Sequence, residues 1–306
     1  MKFTIYQESR IGTRALNQDR VAYCYSRDAL LLLVADGMGG HAHGEVAAQV
    51  AVNAIATFFQ QEAKPNLPDP MFFLSAALEA AHQAIHEEAA RQGLSDSPRT
   101  TCVVCVVQHD VAYWAHVGDS RFYLIRDGRV LSQTRDHSLV QTLVDSGSIT
   151  AEQARQHPAR NRIFSCLGGT QTPQIDFSRK TPLRDGDQLV LCTDGVWGPL
   201  ETDLCAQIAH TNVMTSVPRM LDEAERRAGK SSDNLSIIAI NWEDDEVQAL
   251  TCNSDMPTMP MDVYTMPPAN STQAVNKLSD DEIEEAIEEI RNSIRLSTFT
   301  RNQEDT

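Results

Sequence analysis

The chain has 306 residues, of which 42% are hydrophobic and 22% are charged, a composition that argues against a wholly disordered, collagenous or membrane-embedded protein. Its net charge is −16, with 15 acidic and 4 basic residues after Trp242, so it lacks the basic face of a nucleic-acid-binding protein and no nucleic acid is expected as a partner. The longest apolar run, residues 29–35, is far shorter than the roughly 20 residues that span a bilayer, so no membrane segment is expected.

Two further features predict a cytoplasmic location. Residues 2–10 alternate polar and apolar side chains and contain no signal-peptide core, so we expect no export. The seven cysteines are an odd number scattered along the chain, which is not the pattern of a disulfide framework, so we expect reduced thiols.

Hydrophobic periodicity predicts strands and two long helices in the first 242 residues. The predicted strands cover residues 3–9, 21–25, 30–35, 100–107, 111–117, 120–126, 188–193 and 235–242, and the helices cover residues 45–61 and 71–92. The strands at 100–107, 111–117 and 120–126 are joined by connections too short for a parallel crossover, so we expect them to form one antiparallel meander. Helices inserted between groups of strands indicate an α+β fold, in which helices cover antiparallel sheet.

The composition changes sharply near residue 243. Residues 243–277 are rich in Met, Pro, Thr, Asn and Ser without a period, which predicts a flexible linker between a domain at 1–242 and the C-terminal segment. Residues 278–297 predict an amphipathic helix, with Ser279 as the N-cap of a capping box, and residues 298–306 predict a disordered end. The apolar side chains of this helix recur every three or four residues, at Ile283, Ile287, Ile290 and Ile294.

Five aspartates lie at predicted strand ends or in turns, each close to Gly, Ser or Asn. They are Asp19, Asp36, Asp119, Asp194 and Asp233. Turn chemistry alone explains an isolated Asp-Gly pair, but Asp36 and Asp194 each close an apolar run, so buried strands deliver both carboxylates to one rim. Clustered carboxylates repel one another unless a hard cation such as Mg²⁺ or Mn²⁺ holds them. The sequence therefore predicts a divalent metal centre, which the main-chain oxygen of Gly37 can approach closely.

These aspartates belong to a longer series of short motifs between residues 3 and 242. In chain order the motifs are Arg14 with Asn17-Gln18-Asp19, Asp36 to His41 followed by Gly44-Glu45, Thr100-Thr101, Gly118-Asp119-Ser120-Arg121, Asp136-His137-Ser138, His157-Pro158 with Arg160-Asn161, Leu167-Gly168, Thr193-Asp194-Gly195 and Asp233-Asn234. In this order and at these spacings they resemble the protein phosphatase 2C family of metal-dependent serine/threonine phosphatases, in particular its compact bacterial branch. Residues 136–159 match the flap of that family, a helical insertion beside the site.

The resemblance implies a fold of two packed antiparallel β-sheets flanked by helices, with a two-metal site at one end of the sandwich. The ions are Mn²⁺ or Mg²⁺. Asp36 would bridge both ions, with the Gly37 carbonyl on one of them. Asp194 and Asp233 would bind the other ion.

Other residues complete the site that the resemblance implies. Asp19 would act through bound water, and Asp119 with Asp194 would form a third, weaker metal site. Gly198 stands where the family often has an acid, which predicts that the third site is weakened. Arg14 would bind the substrate phosphate, since a planar guanidinium matches two phosphate oxygens. His41 is the candidate for protonating the leaving alkoxide, with a structural or solvated role as the alternative.

The implied function is hydrolysis of phosphoserine and phosphothreonine in proteins by a water that two metal ions activate. The expected partners are phosphorylated proteins, above all a cognate serine/threonine kinase and its substrates, so that the enzyme reverses kinase signalling. The alternative is a catalytically weak relative that binds phosphoproteins or serves as a scaffold. A two-metal nuclease or nucleotide hydrolase conflicts with the acidic charge and with the absence of a glycine-rich phosphate loop from the sequence.

Deletion of residues 243–306 tests the predicted tail. The apolar stripe of the helix requires a covering surface, either on its own domain or on a partner such as a kinase or a second copy of the chain. We expect the deletion to leave phosphopeptide hydrolysis and the melting temperature unchanged, and to abolish association with, or action on, one protein substrate. A strongly lowered melting temperature would show instead that the helix belongs to the core.

Overall fold

Two antiparallel sheets form the centre of the fold in the computed structural model, which describes residues 1–38, 43–200, 203–208, 211–243 and 264–265. The order of strands in the first sheet is β1 (Lys2–Arg10), β11 (Leu235–Glu243), β10 (Gln188–Cys192), β6 (Arg121–Arg126) and β7 (Arg129–Gln133). The order in the second sheet is β12 (Tyr264–Thr265), β2 (Asp19–Tyr25), β3 (Ala29–Asp36), β4 (Cys102–Gln108), β5 (Val111–Val117) and β8 (Asp176–Phe177), while β9 (Thr181–Pro182) also pairs with β5.

Helices cover the outer faces of both sheets. The second sheet is covered by α1 (Gly44–Glu62) and α2 (Pro70–Gln92). The first sheet is covered by α5 (Asp194–Leu200), α6 (Leu204–Ile208) and α7 (Val213–Ala228). The predicted flap contains two short helices, α3 (Leu139–Asp145) and α4 (Ala151–Arg155). The predicted α+β sandwich of two sheets flanked by helices is therefore confirmed.

Strand β3 shows why its sequence is apolar throughout. Leu31 and Leu33 pack against the helices, whereas Leu30 and Leu32 pack into the core between the sheets. All four side chains are fully buried, and each contributes about 1.5–3 kcal/mol relative to an exposed side chain. A strand covered on both faces has no polar face, which explains the continuous apolar run.

The long helix α2 begins and ends at residues with clear local signals. Asp69 is the N-cap, and its carboxylate accepts hydrogen bonds from the main-chain N–H groups of Met71 and Phe72. Pro70 occupies the first turn, where its missing N–H is no loss. Gly93 ends the helix at φ 66°, a left-handed conformation that glycine adopts without steric cost.

The predicted three-stranded meander is wrong in its third strand. Strands β4 and β5 pair with each other, but β6 crosses to the first sheet and lies between β10 and β7. Phe122 of β6 faces the core between the sheets, while Tyr123 faces the helices over the first sheet. A strand with apolar side chains on both faces requires cover on both, which the second sheet supplies on one face and the helices over the first sheet supply on the other. The short connection excludes only a parallel crossover, not a change of sheet.

Several elements were not predicted from the sequence, of which α7 is the longest. Its buried apolar side chains recur with helical spacing, at Val213, Val217, Met220, Leu221 and Ala224. That period was available in the sequence, although Pro218 within the helix is a signal that disfavours helix.

The C-terminal segment lies largely outside the described residues. Strand β11 ends at Glu243, one residue beyond the predicted end of the first domain. Within the predicted linker at 243–277, Tyr264 and Thr265 pair antiparallel with Tyr23 and Ala22 of β2. The helix at 278–297 and the end at 298–306 lie outside the described residues and stay predictions. Among the described residues, no helix is both long enough and apolar enough to cross a membrane.

Replacement of Phe122 by alanine tests whether this side chain of β6 lies in the core between the sheets. Phe122 is fully buried and stacks on Trp114 with ring centroids 4.2 Å apart. We expect Phe122→Ala to lower the free energy of unfolding by about 3–5 kcal/mol, measured by denaturant titration. Phe72, which is 69% exposed, is the matched control, and its replacement by alanine should change stability by less than about 0.5 kcal/mol. Equal effects of the two substitutions would contradict the assignment of β6 to this core.

Candidate metal centre

The five predicted aspartates meet at one end of the sandwich. Asp36 ends β3 and lies opposite Asp19, the first residue of β2. Asp194 begins α5 just after β10, Asp233 precedes β11, and Asp119 lies between β5 and β6. Neighbouring antiparallel strands begin and end at the same edge of a sheet, so five positions far apart in sequence deliver their carboxylates to one place.

Burial and like-charge repulsion raise the pKa values of four of these carboxyl groups, those of Asp19, Asp36, Asp119 and Asp194. Burial is the main cause at Asp19, whose pKa is raised to about 7, and at Asp194, whose pKa is raised to about 6 with the charge of Asp233 as the next cause. The pKa values of Asp36 and Asp119 lie well above the ordinary range, because burial is reinforced by the surrounding carboxylates. A divalent cation would remove this repulsion.

The residues present fit a hard divalent cation. One carboxylate oxygen of Asp119, Oδ1, is buried, and within the described residues it has no hydrogen-bond partner. A buried charged oxygen without a partner is costly, so this atom is suited to a cation. The cluster offers carboxylate oxygens, which are ligands that Mn²⁺ and Mg²⁺ prefer.

Two glycines allow the loops that carry the aspartates to touch through their backbones. A Cβ on Gly37 would lie 2.3 Å from the main-chain oxygen of Gly44, so the turn after Asp36 packs directly on the start of α1. A Cβ on Gly195 would lie 1.9 Å from the main-chain oxygen of Asn234. The loops that carry Asp194 and Asp233 are therefore held together with no room for a side chain.

Neutral side chains orient the aspartates, and sequence reasoning assigned them no role. The hydroxyl of Thr193 donates to Oδ2 of Asp19 at 2.9 Å. The hydroxyl of Thr101 accepts from the main-chain N–H of Asp36 at 3.2 Å. Their places within the Thr193-Asp194-Gly195 and Thr100-Thr101 motifs were the available signal.

Asn234 joins its own loop, before β11, to the loop between β1 and β2. Its amide nitrogen donates to the main-chain oxygens of Ile11 and Leu16, and its amide oxygen accepts from the main-chain N–H of Gln18. The loop around Arg14 is thereby held beside Asp19 and Asp233.

Arg14 stands at the mouth of the cluster. Its Nε and Nη2 atoms donate to the two carboxylate oxygens of Asp233 at 2.7 Å each, and its side chain is 56% exposed. An exposed planar guanidinium at this place can reach a phosphate group that enters from solvent. His41, the predicted general acid, lies outside the described residues.

A cleft of about 610 Å³ extends from the cluster along the flap. Arg14, Asp119 and Asp194 line one end of it. The walls are formed by residues of α3, α4 and the segment that follows, and by residues of α5, among them Val140, Val144, Ala154, Arg160, Trp197 and Pro199. The predicted placement of the flap beside the site is therefore confirmed.

A second group of possible ligands, His116, His137 and Asp176, does not fit a metal. The main-chain N–H of Gly118 donates to Nδ1 of His137 at 3.1 Å, so the ring proton of His137 is on Nε2. That nitrogen faces a carboxylate oxygen of Asp176 at 3.3 Å and has no lone pair for a cation. A metal-bound histidine donates from its other nitrogen instead of accepting there.

Comparison with known proteins identifies the family to which this chain belongs. A family model described as protein phosphatase 2C matches residues 6–235, which is most of the chain. The chain belongs to the protein phosphatase 2C family. The predicted resemblance is confirmed, and the carboxylate cluster lies within the matched region.

Among bacterial members of the phosphatase 2C family, the serine/threonine protein phosphatase PstP of Mycobacterium tuberculosis is 35% identical over 232 residues, which are 76% of this chain and 43% of PstP. The protein phosphatase PhpP of Streptococcus pneumoniae is 30% identical over 244 residues, which are 76% of this chain and 95% of PhpP. A crystal structure of the PstP catalytic domain in complex with two manganese ions has a TM-score of 0.67 at 32% identity, covering 79% of this chain and 99% of that one. The chain thus matches less than half the length of PstP but nearly the whole of PhpP.

The raised pKa values predict how stability depends on pH without metal. Between about pH 4 and pH 7 the folded protein holds protons on Asp19 and Asp194 that the unfolded chain has lost, so the free energy of unfolding falls as pH rises through this window. We expect the melting temperature in excess EDTA to fall between pH 5 and pH 8. Mn²⁺ should raise it more at pH 8 than at pH 5, since the ligands must be deprotonated.

The variant Asp194→Asn is the control for this prediction. It removes one of the repelling carboxylates, so the fall in EDTA should become smaller and the protein should be more stable than wild type at pH 8. A melting temperature in EDTA that is the same at pH 5 and pH 8 for both proteins would contradict the prediction.

Proposed function

We propose that the chain hydrolyses phosphoserine and phosphothreonine in proteins, using two divalent ions, Mn²⁺ or Mg²⁺, and a water that they activate. The observation that carries the proposal is the cluster of carboxylates with raised pKa values beside the exposed guanidinium of Arg14. Membership of the phosphatase 2C family and similarity to the phosphatases PstP and PhpP support the same reaction.

Different acidic residues would bind different ions. Asp36 would contact both, with the Gly37 carbonyl as a further ligand of one, and Asp194 and Asp233 would hold the other. Bound divalent ions supply charge neutralisation and a lowered pKa for water, which phosphate-ester hydrolysis at neutral pH requires. Asp119 with Asp194 would hold a third ion more weakly. No acid stands at Gly198 to complete that site.

The remaining residues act on water, substrate and leaving group. Asp19, oriented by Thr193, would accept a hydrogen bond from a water molecule of the site. Arg14 would exchange part of its contact with Asp233 for the substrate phosphate, whose developing charge it stabilises. His41 is proposed to protonate the leaving alkoxide. The chain itself provides orientation and charge, and no covalent intermediate is needed.

The proposed substrates are phosphorylated proteins, including a cognate serine/threonine kinase and its targets, so that the enzyme opposes kinase signalling. A cytoplasmic location is part of the proposal, and the six cysteines within the described residues are free thiols. The proposed place of the helix at 278–297 is a docking surface on its own domain or on such a partner.

Substitutions at the cluster and at its mouth test the mechanism. We expect Asp36→Asn and Asp194→Asn each to lower kcat on a phosphothreonine peptide with Mn²⁺ by about 100-fold or more, because a preorganised charge is lost. Arg14→Ala should mainly raise KM, with a total loss of about 10- to 100-fold in kcat/KM, since a charge-assisted hydrogen bond contributes about 1.5–3 kcal/mol. Phosphate release at varied peptide concentration measures both constants.

Asp127→Asn is the matched control. Asp127 lies in the turn between β6 and β7, at the end of β6 opposite to Asp119, and its φ of 51° suits asparagine. The control should keep wild-type kinetics, and excess EDTA should abolish activity in every active variant. Binding of the phosphopeptide without release of phosphate would favour the scaffold alternative, and full activity in EDTA would exclude the proposed mechanism.

A further inference from the structure

The main-chain oxygen of Asp119 accepts a hydrogen bond from an aromatic side chain of another element. Nε1–H of Trp197 donates to it at 2.9 Å. Trp197 lies on α5, the helix that begins at Asp194. One indole group therefore links the peptide of Asp119 to the helix that carries Asp194.

The indole ring of Trp197 is itself held in place by Arg121. The centre of the guanidinium lies 3.4 Å from the ring centroid, which is the geometry of a cation–π contact. Arg121 is also fixed by Asp136, since its Nε and Nη2 atoms donate to both carboxylate oxygens at 2.8 Å each. Asp136, Arg121 and Trp197 thus form a continuous chain of contacts that ends on Asp119, and we name these three residues the support triad.

The ion pair of the triad is almost completely buried. The side chains of Arg121 and Asp136 are 7% and 8% exposed. A buried ion pair of this kind adds little net stability compared with apolar side chains of the same volume, because both charges have lost their hydration. What it does provide is a fixed geometry, because a bidentate pair allows one orientation of the guanidinium plane.

The turn before Asp119 is held from the same side. Gly118 has φ 102°, a conformation that glycine tolerates, and the main-chain N–H of His137 donates to its oxygen at 2.9 Å. Asp136 and His137 are consecutive, so one short segment fixes both Gly118 and Arg121. Contacts on both sides therefore fix the main chain at Gly118 and Asp119, whereas the Oδ1 atom of Asp119 has no hydrogen-bond partner within the described residues.

We infer that the support triad of Asp136, Arg121 and Trp197 positions Asp119 to bind the third divalent ion, the most weakly bound of the cluster, which Asp119 shares with Asp194. Its members bind no metal themselves and act through the peptide of Asp119. This rests on the proposed function insofar as the carboxylates bind Mn²⁺ or Mg²⁺. With glycine at position 198, an open position where the family often has an acid, the affinity for this ion depends on how accurately Asp119 is held.

Strand β6 supplies a matched control. Arg126 lies on the same strand and makes the same bidentate contact, with Asp187 at 2.8 and 2.7 Å, beside the turn at the opposite end of β6 from Asp119. Arg121→Lys and Arg126→Lys therefore break equivalent pairs, of which only one leads to Asp119. Trp197→Phe is the second test, since it keeps a smaller aromatic ring beside Arg121 and removes the N–H donor.

The experiment is calorimetric titration of the full chain with Mn²⁺, without substrate, together with the melting temperature of each variant. Asp119→Asn identifies the binding step that needs Asp119. We expect Arg121→Lys and Trp197→Phe to weaken that step by about 10- to 100-fold, as loss of a group that orients a ligand does, and to leave the tighter steps within about twofold. Arg126→Lys should leave every step unchanged even where it lowers the melting temperature.

Unchanged Mn²⁺ binding in both test variants, or an equal loss at every step, would overturn the inference, and so would a wild-type titration in which no step depends on Asp119. Because hydrolysis is not measured, failure of the proposed function is a separate result. A chain that binds Mn²⁺ as expected but releases no phosphate would contradict the proposed function and leave the triad's role intact.

Discussion

Repulsion between carboxylates that the fold holds close together is the interaction on which the rest of this structure depends. The pKa of Asp36 is raised by burial and by the charges of four other aspartates, so each carboxylate makes it harder for its neighbours to ionise. Such a cluster would open in a loose structure, because the chain would relax until the charges separated. It persists here because the strands and helices that carry the carboxylates are fixed by packing elsewhere in the domain. Bound divalent cations would neutralise the repulsion between the carboxylates.

The sandwich provides that rigidity at the level of single strands. Strand β3 is buried on both faces, and β6 has apolar side chains towards both the other sheet and the helices. A strand held in this way cannot shift its register without moving apolar side chains into the wrong layer. Asp36, the last residue of β3, and Asp119, two residues before β6, are therefore positioned by a core that is far larger than the site.

The loops that carry the aspartates are also held in place by backbone contacts that leave no room for a side chain. Gly37 touches the start of α1, and Gly195 touches the main chain beside Asp233. Polar side chains with no charge of their own, such as Asn234, then join loops that would otherwise move independently. The same type of arginine–aspartate pair occurs at both ends of β6, which shows that a contact takes its role from what it supports. The pair of Arg126 and Asp187 joins β6 to the segment before β10, whereas that of Arg121 and Asp136 leads through Trp197 to Asp119 of the carboxylate cluster.

Sequence alone determined the elements whose signals are local. The apolar runs before Asp36 and Asp194 predicted two buried strands that end in carboxylates, and the period of residues 71–92 predicted α2 almost to its ends. The five aspartates that the structure brings together were found from their places at predicted strand ends and turns, and the order of the motifs identified the family. Local patterns extend over a few residues, so they were sufficient wherever a strand end, a cap or a turn decides the structure.

Only the tertiary structure decided which sheet β6 joins. A short connection is compatible with pairing to β5 or with crossing to the other sheet. The choice depends on where the side chains of Phe122 and Tyr123 can be buried. The tertiary structure also decided which neutral groups support the aspartates. Trp197 and Asp119 are 78 residues apart, and their hydrogen bond exists because two sheets place α5 beside the turn after β5. No periodicity or turn preference extends over that separation, since the free energy that brings such residues together comes from packing of the whole domain.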